Sequence, residues 1–288
     1  MTADQKRRAF AARVRRRELS IAPGVFDMIS LRVADRQGHA ALYMTGYGTV
    51  ASHLGLPDAG LAGFSELCER AHAMASAAVT PLIADADTGF GGLLNVARTV
   101  RGYEDAGVAA IQIEDQEFPK KCGHTPGRRV VPAEEMVLKI KVAVEARRHD
   151  ETMIVARTDA RTDHGLDEAL RRARLYEEAG ADVIFVESPE SEAELERIGR
   201  EVSKPLLANM VEFGKTPRVE VARLKQWGFD LAIYPGLGFS VAAEAMRLAW
   251  EHLKAKGTSN GVAVPQYGNM HELMGFSEVW DFEKRWAP

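Results

Sequence analysis

Pro81-Leu82-Ile83-Ala84-Asp85-Ala86-Asp87 is a short apolar run that closes on two acids, just after a helical pattern over Glu66–Ala78. Such a run beside a longer helical segment reads as a strand buried on both faces, the environment of a parallel sheet. Seven more runs of this kind punctuate the chain: Ser20–Phe26, Ala41–Thr45, Ala109–Glu114, Met153–Thr158, Val183–Glu187, Lys204–Asn209 and Asp230–Tyr234. The segments between them carry apolar residues three and four apart, as in Met136–Ala146 and Leu166–Glu178. Helix starts are signalled at Thr125-Pro126 and Pro132-Ala133-Glu134, and helix ends at Ala106-Gly107 and Ala179-Gly180. Eight strands alternating with helices in 288 residues predict an α/β fold. The expectation is a (β/α)8 TIM barrel, one domain over residues 1–288, with an N-terminal helix and a C-terminal helical extension. An open doubly wound sheet would need fewer strands or a second domain, and no linker-like tract marks one.

The bulk properties narrow the function classes. A formal net charge of -4 gives no reason to expect nucleic acid or an anionic membrane as partner. Cys68 and Cys122 are the only cysteines, which points to a reducing compartment rather than a disulfide scaffold. No segment reaches membrane-spanning length. The Arg-rich start lacks the apolar core of a secretory signal and reads as an amphipathic first helix, so a cytoplasmic enzyme is expected.

In a barrel of this type the chemistry belongs at the C-terminal ends of the strands, and the polar residues fall there. Asp85 and Asp87 close the third strand, Glu114 and Asp115 the fourth, and Arg157 and Asp159 the fifth. Glu187, Asn209 and Tyr234 close the last three. Strand alternation places Asp85 and Asp87 on one face. Carboxylates converging at one mouth repel, and a hard divalent cation relieves them. Mg²⁺ takes one or two carboxylates directly and keeps its waters. Asp85 is therefore expected as the direct ligand, with Asp58, Asp87 and Glu114 holding metal-bound waters.

The loop after the fourth strand contains Lys120-Lys121-Cys122-Gly123-His124. Two lysines and a histidine around a thiol predict a lowered cysteine pKa, and glycine lets the loop close over a substrate. Cys122 is thus a candidate proton donor or acceptor at carbon. Cys68, inside a helical pattern, reads as a small core residue. Gly46-Tyr47-Gly48-Thr49-Val50-Ala51 matches a dinucleotide fingerprint only formally, because the region about twenty residues on is helical and lacks the expected ribose acid. It reads instead as a loop whose backbone N–H groups, with Thr45, receive a carboxylate. The other histidines form no metal-spaced pair.

On these residues the chain resembles the isocitrate lyase/phosphoenolpyruvate mutase superfamily over nearly its whole length. The most specific stretch is Lys120–His124, which is similar to the catalytic loop of the lyase branch. Thr45-Gly46, Leu56-Pro57-Asp58, Asp85–Gly89, Glu114–Gln116, Ala156–Asp159 and Leu207–Met210 support it. The resemblance implies Mg²⁺ (with Mn²⁺ as a substitute) and a homotetramer that exchanges the last barrel helix between subunits. It implies that Thr45, Gly46, Tyr47, Arg157 and Asn209 hold a 2-oxo acid, with Tyr43 and Glu187 close by. It implies that Cys122, within a loop formed with Lys120, Lys121, Gly123 and His124, is the catalytic acid/base.

One departure bears on the substrate. Methylisocitrate lyases have an arginine a few residues after the strand-eight Tyr-Pro, where this sequence places Ser240. Losing that partner disfavours a tricarboxylate, so a substituted malate is expected. The reaction expected is retro-aldol cleavage to pyruvate and a carboxylate. The alternatives on the same site are oxaloacetate decarboxylation and phosphonopyruvate-type chemistry. A non-catalytic dicarboxylate-binding barrel is a further alternative. The apolar tail from Met270 to Trp286 predicts packing on a neighbouring subunit.

Overall fold

The computed structural model describes residues 1–212 and 214–287. The strands are β1 (Ser20–Val25), β2 (Leu42–Met44), β3 (Leu82–Asp85), β4 (Ala110–Glu114), β5 (Met153–Thr158), β6 (Val183–Val186), β7 (Leu206–Asn209) and β8 (Leu231–Tyr234). The helices up to the fourth strand are α1 (Ala3–Arg15), α2 (Met28–Asp35), α3 (Gly46–Leu54), α4 (Phe64–Ala77) and α5 (Leu93–Ala106). Then come α6 (Ala133–Ala146), α7 (Arg161–Glu178), α8 (Glu192–Glu201), α9 (Val221–Gln226), α10 (Leu237–Lys256), α11 (Tyr267–Met274) and α12 (Phe276–Trp286). All strand pairs are parallel and consecutive, and β1 closes on β8 through Ser20 opposite Leu231. The fold is the expected (β/α)8 TIM barrel. The chain divides into two units, Met1–Gly238 with the barrel and Phe239–Pro288.

The Thr2 capping box starts α1, whose Phe10, Ala11 and Val14 are fully buried. These side chains cluster with Ala22, Ala41, Ala109 and Met153, at or beside the N-terminal ends of β1, β2, β4 and β5. The first helix thereby plugs the bottom of the barrel and leaves the opposite mouth for chemistry. Lys6 is buried with its stem and donates to the carbonyls of Ala75 (2.5 Å) and Ala78 (3.0 Å), satisfying the end of α4. Glycines 107 and 180 end α5 and α7 with φ of 91° and 102°. Among the described residues no helix is long and apolar enough to cross a membrane.

Four sequence expectations change. Thr125-Pro126 does not start a helix; α6 begins after Pro132, and residues 125–131 belong to the loop. The helix expected from Leu166 begins at Arg161 and is interrupted at Gly165, whose φ is 82°. The Gly46–Ala51 stretch is the first part of α3 and not a loop. Asp115 does not reach the mouth. It is buried and accepts from Thr158 Oγ1 (2.7 Å), Tyr176 Oη (2.7 Å), Arg172 Nη1 (3.0 Å) and the Asp159 N–H (2.8 Å). That carboxylate ties β4 to β5 and α7.

In the second unit, His271 and Phe276 meet edge to face at 4.5 Å between centroids, and Trp280 lies tilted against Phe276 at 5.9 Å. No residue of α10 or α12 is buried.

Asp115→Ala strips the buried Thr158 and Tyr176 hydroxyls and the Asp159 N–H of their acceptor and leaves Arg172 only Glu168 as carboxylate partner, which costs about 3–5 kcal/mol. Urea denaturation followed by circular dichroism should show that loss in the midpoint with little change in slope; an unchanged midpoint would refute the structural role.

Candidate active site

Apart from Asp115, the C-terminal mouth gathers the acids that the sequence placed there, but local geometry differs from simple strand alternation. β3 ends at Asp85, and Asp87 lies beyond it with φ of 48°. Asp85 Oδ1 accepts the Asp87 N–H at 3.0 Å across this left-handed turn, and both carboxyls border Gly46. Gln112 Nε2 reaches the same oxygen at 3.4 Å, and Tyr43 Oη donates to Gln112 Oε1 at 2.9 Å. Tyr43 is therefore a buried neutral donor that fixes Gln112, with burial and then Asp85 holding its phenol well above the usual range. Gln112 was not signalled by the sequence, since a lone glutamine inside an apolar strand forms no motif.

The first turn of α3 abuts this acid pair. A Cβ at Gly46 would fall 2.6 Å from Asp85 Oδ2, so only glycine permits the approach. Thr45 is the N-cap and makes no side-chain hydrogen bond to the helix, which leaves the positive helix end uncapped by a side chain. Tyr47, on the same turn, is exposed.

Lys120 does not face the thiol. Its ammonium is buried between Asp58 Oδ1 (2.6 Å) and Asp87 Oδ1 (2.7 Å). Burial opposes its charge, but Asp87, Asp58 and Glu114 hold it protonated well above the ordinary range. Burial pushes the Asp87 carboxyl up to about 7, against the pull of Lys120 and with help from Asp85 and Asp58. Lys121 is exposed and donates to the Gly127 carbonyl at 3.1 Å. The expected lowering of the Cys122 pKa is thus reversed: burial pushes the thiol up, the N–H of His124 opposes, and Asp58 adds to the rise.

Beside the thiol the loop is tightly seated. The Cys122 N–H donates to the Asp58 carbonyl at 3.1 Å, and Ser188 Oγ donates to the Gly123 carbonyl at 2.9 Å. A Cβ at Gly123 would strike the Arg157 guanidinium and lie 2.8 Å from Glu187 Oε2. His124 Nδ1 accepts the Lys215 N–H at 3.3 Å, which assigns the neutral ring its proton on Nε2, 3.4 Å from Glu187 Oε1. Burial holds the His124 ring below its usual pKa, with Glu187 opposing.

Arg157 is the buried guanidinium around which three carboxylates gather. It pairs with both oxygens of Asp159 (2.9 Å each), with Glu114 Oε2 (3.3 Å) and with Glu187 Oε2 (3.2 Å). Asn209 Nδ2 donates to Glu187 Oε2 at 3.1 Å, while its Oδ1 is buried without a hydrogen-bond partner. Glu114 Oε1 is likewise buried and unpartnered. Burial pushes the Glu114 carboxyl well above its usual range, against Arg157 and Lys120. Among the described residues no group of three or more His, Cys, Asp or Glu side chains is placed to hold a metal ion together. Asp85, Asp58, Asp87 and Glu114 remain the oxygen donors that could hold a hard cation with one or two direct carboxylates and its own waters. Ser240 lies exposed on α10, in the second unit.

A family model for phosphoenolpyruvate phosphomutase matches residues 10–254. The chain belongs to that family. It is 50% identical over 273 residues to the 2,3-dimethylmalate lyase of Eubacterium barkeri, covering 94% of each chain. It is 43% identical over 274 residues to the 2-methylisocitrate lyase of Aeropyrum pernix, covering 94% of this chain and 87% of that one. A solved structure of oxaloacetate acetylhydrolase with the inhibitor 3,3-difluorooxalacetate superposes with a TM-score of 0.92 at 34% identity, covering 97% of this chain and 96% of that one. The protein is a carbon–carbon lyase of the isocitrate lyase/phosphoenolpyruvate mutase superfamily.

Because the Cys122 thiol is pushed up, its alkylation by iodoacetamide should still be accelerating above the ordinary thiol range of about 8.5. Peptide mass analysis across a pH series reads this directly, and a rate that levels off below pH 8 would contradict it.

Proposed function

We propose that the protein cleaves the C2–C3 bond of a small 2-hydroxy dicarboxylate, a substituted malate, to a 2-oxo acid and a carboxylic acid. The observation that carries this reading is one mouth in which Arg157, Asn209 and the α3 N-terminus face a carboxylate set, with a protonated thiol loop seated against them. The identity with a 2,3-dimethylmalate lyase supports the substrate class. For 2,3-dimethylmalate the atoms balance as pyruvate plus propionate.

The mouth fits Mg²⁺, with Mn²⁺ as a substitute. Glu114 Oε1 is a buried carboxylate oxygen lacking a partner, and the set is all oxygen, as a hard cation prefers. Asp85 would hold the ion, with Asp58, Asp87 and Glu114 holding its waters. When bound, the ion polarises the substrate's carboxylate and 2-hydroxyl and lowers the pKa of that hydroxyl.

The chain's own groups supply the rest. Arg157, Asn209 and the first amides of α3 receive and orient the substrate carboxylate. The loop from Lys120 to His124 excludes water, with Lys120 tying it to Asp58 and Asp87. The 2-hydroxyl proton passes to a carboxylate of the mouth. The C2–C3 electron pair moves into the departing carboxylate as its enolate, and Cys122 protonates C3. A thiol pushed up by burial stays protonated at neutral pH, which suits a general acid.

The oligomer proposed is a homotetramer that exchanges α10. Its support is the apolar surface exposed on α10 and α12, including Trp250 (63%), Phe282 (56%) and Trp286 (73%). A cytoplasmic location is proposed on the two free thiols. Light scattering at micromolar concentration should give a tetramer mass, and a monomer would contradict the exchange.

Cys122→Ser should lower turnover of 2,3-dimethylmalate by about 10²–10⁴-fold while pyruvate affinity is nearly unchanged. Product analysis covers the rival chemistry on the same site. Oxaloacetate turning over to pyruvate and CO₂, or to oxalate and acetate, faster than any substituted malate would overturn the assigned substrate class.

A further inference from the structure

Arg128 lies in the same loop as Cys122 but outside its motif, and nothing in the proposed reaction uses it. It is 3% exposed, a rare burial for a loop arginine. Its Nη1 meets Asp159 Oδ1 at 2.5 Å, the oxygen that also takes Arg157 Nη2 at 2.9 Å. Its Nη2 donates to Thr162 Oγ1 at 2.5 Å, on the first turn of α7. Its Nε donates to the Thr125 carbonyl at 3.2 Å. Thr125 in turn donates through its N–H (3.0 Å) and Oγ1 (2.7 Å) to the Cys122 carbonyl. One guanidinium thus links the thiol turn, the start of α7 and the carboxylate that grips Arg157.

The charge balance gives that link a purpose. Arg157 touches three carboxylates, and the bidentate pair with Asp159 is its strongest. A carboxylate shared between two guanidiniums holds each less tightly than one held alone. We propose that Arg128 is a positioning residue that shares Asp159 with Arg157, leaving Arg157 free to bind the substrate carboxylate only when the Cys122 turn is seated. Substrate affinity and the placement of the thiol are thereby set by one side chain. This rests on the proposed reading of the mouth as a 2-oxo and 2-hydroxy acid site.

The test uses the full-length Mg²⁺-loaded protein with oxalate as probe, measured by calorimetry, together with the rate of Cys122 alkylation at fixed pH. Arg128→Met should weaken oxalate ten- to hundredfold and speed alkylation of Cys122 more than tenfold, while Cys68 is modified at the wild-type rate. Arg128→Lys keeps the charge without the planar fork, so it should recover most of the oxalate affinity while alkylation stays fast. In an Asp159→Asn background, Arg128→Met should cause no further loss of oxalate affinity. Arg128→Met with unchanged oxalate affinity and unchanged alkylation would overturn the proposal, as would full additivity with Asp159→Asn. Should Arg128→Met fail to fold, Arg128→Lys decides, and wild-type alkylation in that variant overturns the role. A wild-type protein that binds no oxalate would refute the reading of the mouth, while the alkylation rates would still judge Arg128.

Discussion

Lys120 and Arg157 are two buried cations that between them touch five buried carboxylates: Asp58, Asp87, Asp159, Glu114 and Glu187. Removing such charges from water costs several kcal/mol per ion, repaid only by close partners with good geometry. The mouth of the barrel therefore exists in this form because the β4–α6 loop delivers Lys120 into it and β5 delivers Arg157. Neither cation fully offsets the acids, and burial keeps Glu114 and Asp87 above the carboxylate range. On the other side of the cluster a second guanidinium, that of Arg128, shares Asp159 with Arg157.

Everything else in the barrel serves to hold that arrangement. The α1 plug closes the bottom, Asp115 fastens β4 to β5 and α7, and the Tyr43–Gln112 pair fixes Asp85 from inside the barrel. The β4–α6 loop carries three separate tasks on adjacent residues. Lys120 neutralises Asp58 and Asp87, Cys122 presents a thiol that burial pushes up, and Gly123 lets the chain pass against Arg157 and Glu187 where any side chain would collide. Its seat on Asp58 and Ser188 makes the thiol part of a packed surface.

The barrel was legible in the sequence because eight apolar runs and their helical spacers carry period and length information, and each strand lies within a residue or two of its run. The acids at the strand ends were legible for the same reason, because topology alone sends them to one mouth. Local electrostatics were not. Neighbours along the chain suggested that Lys120 and Lys121 would activate the thiol, whereas one turns inward to Asp58 and Asp87 and the other outward to Gly127. Asp87 reaches the mouth through a left-handed turn that no alternation rule describes. Gln112, Ser188 and Arg128 make decisive contacts from positions without motif signals, because their partners are distant in sequence.

The proposed cleavage turns on where the proton goes when the carbon–carbon bond breaks. Turnover of 2,3-dimethylmalate in D₂O, followed by NMR of the products, reads it without further assumption. A thiol fixed on one face of the enolate should deliver a single deuteron to C2 of propionate with one configuration, alongside unlabelled pyruvate. Propionate deuterated equally on both faces would contradict a positioned Cys122, and release of CO₂ in place of propionate would contradict the cleavage itself.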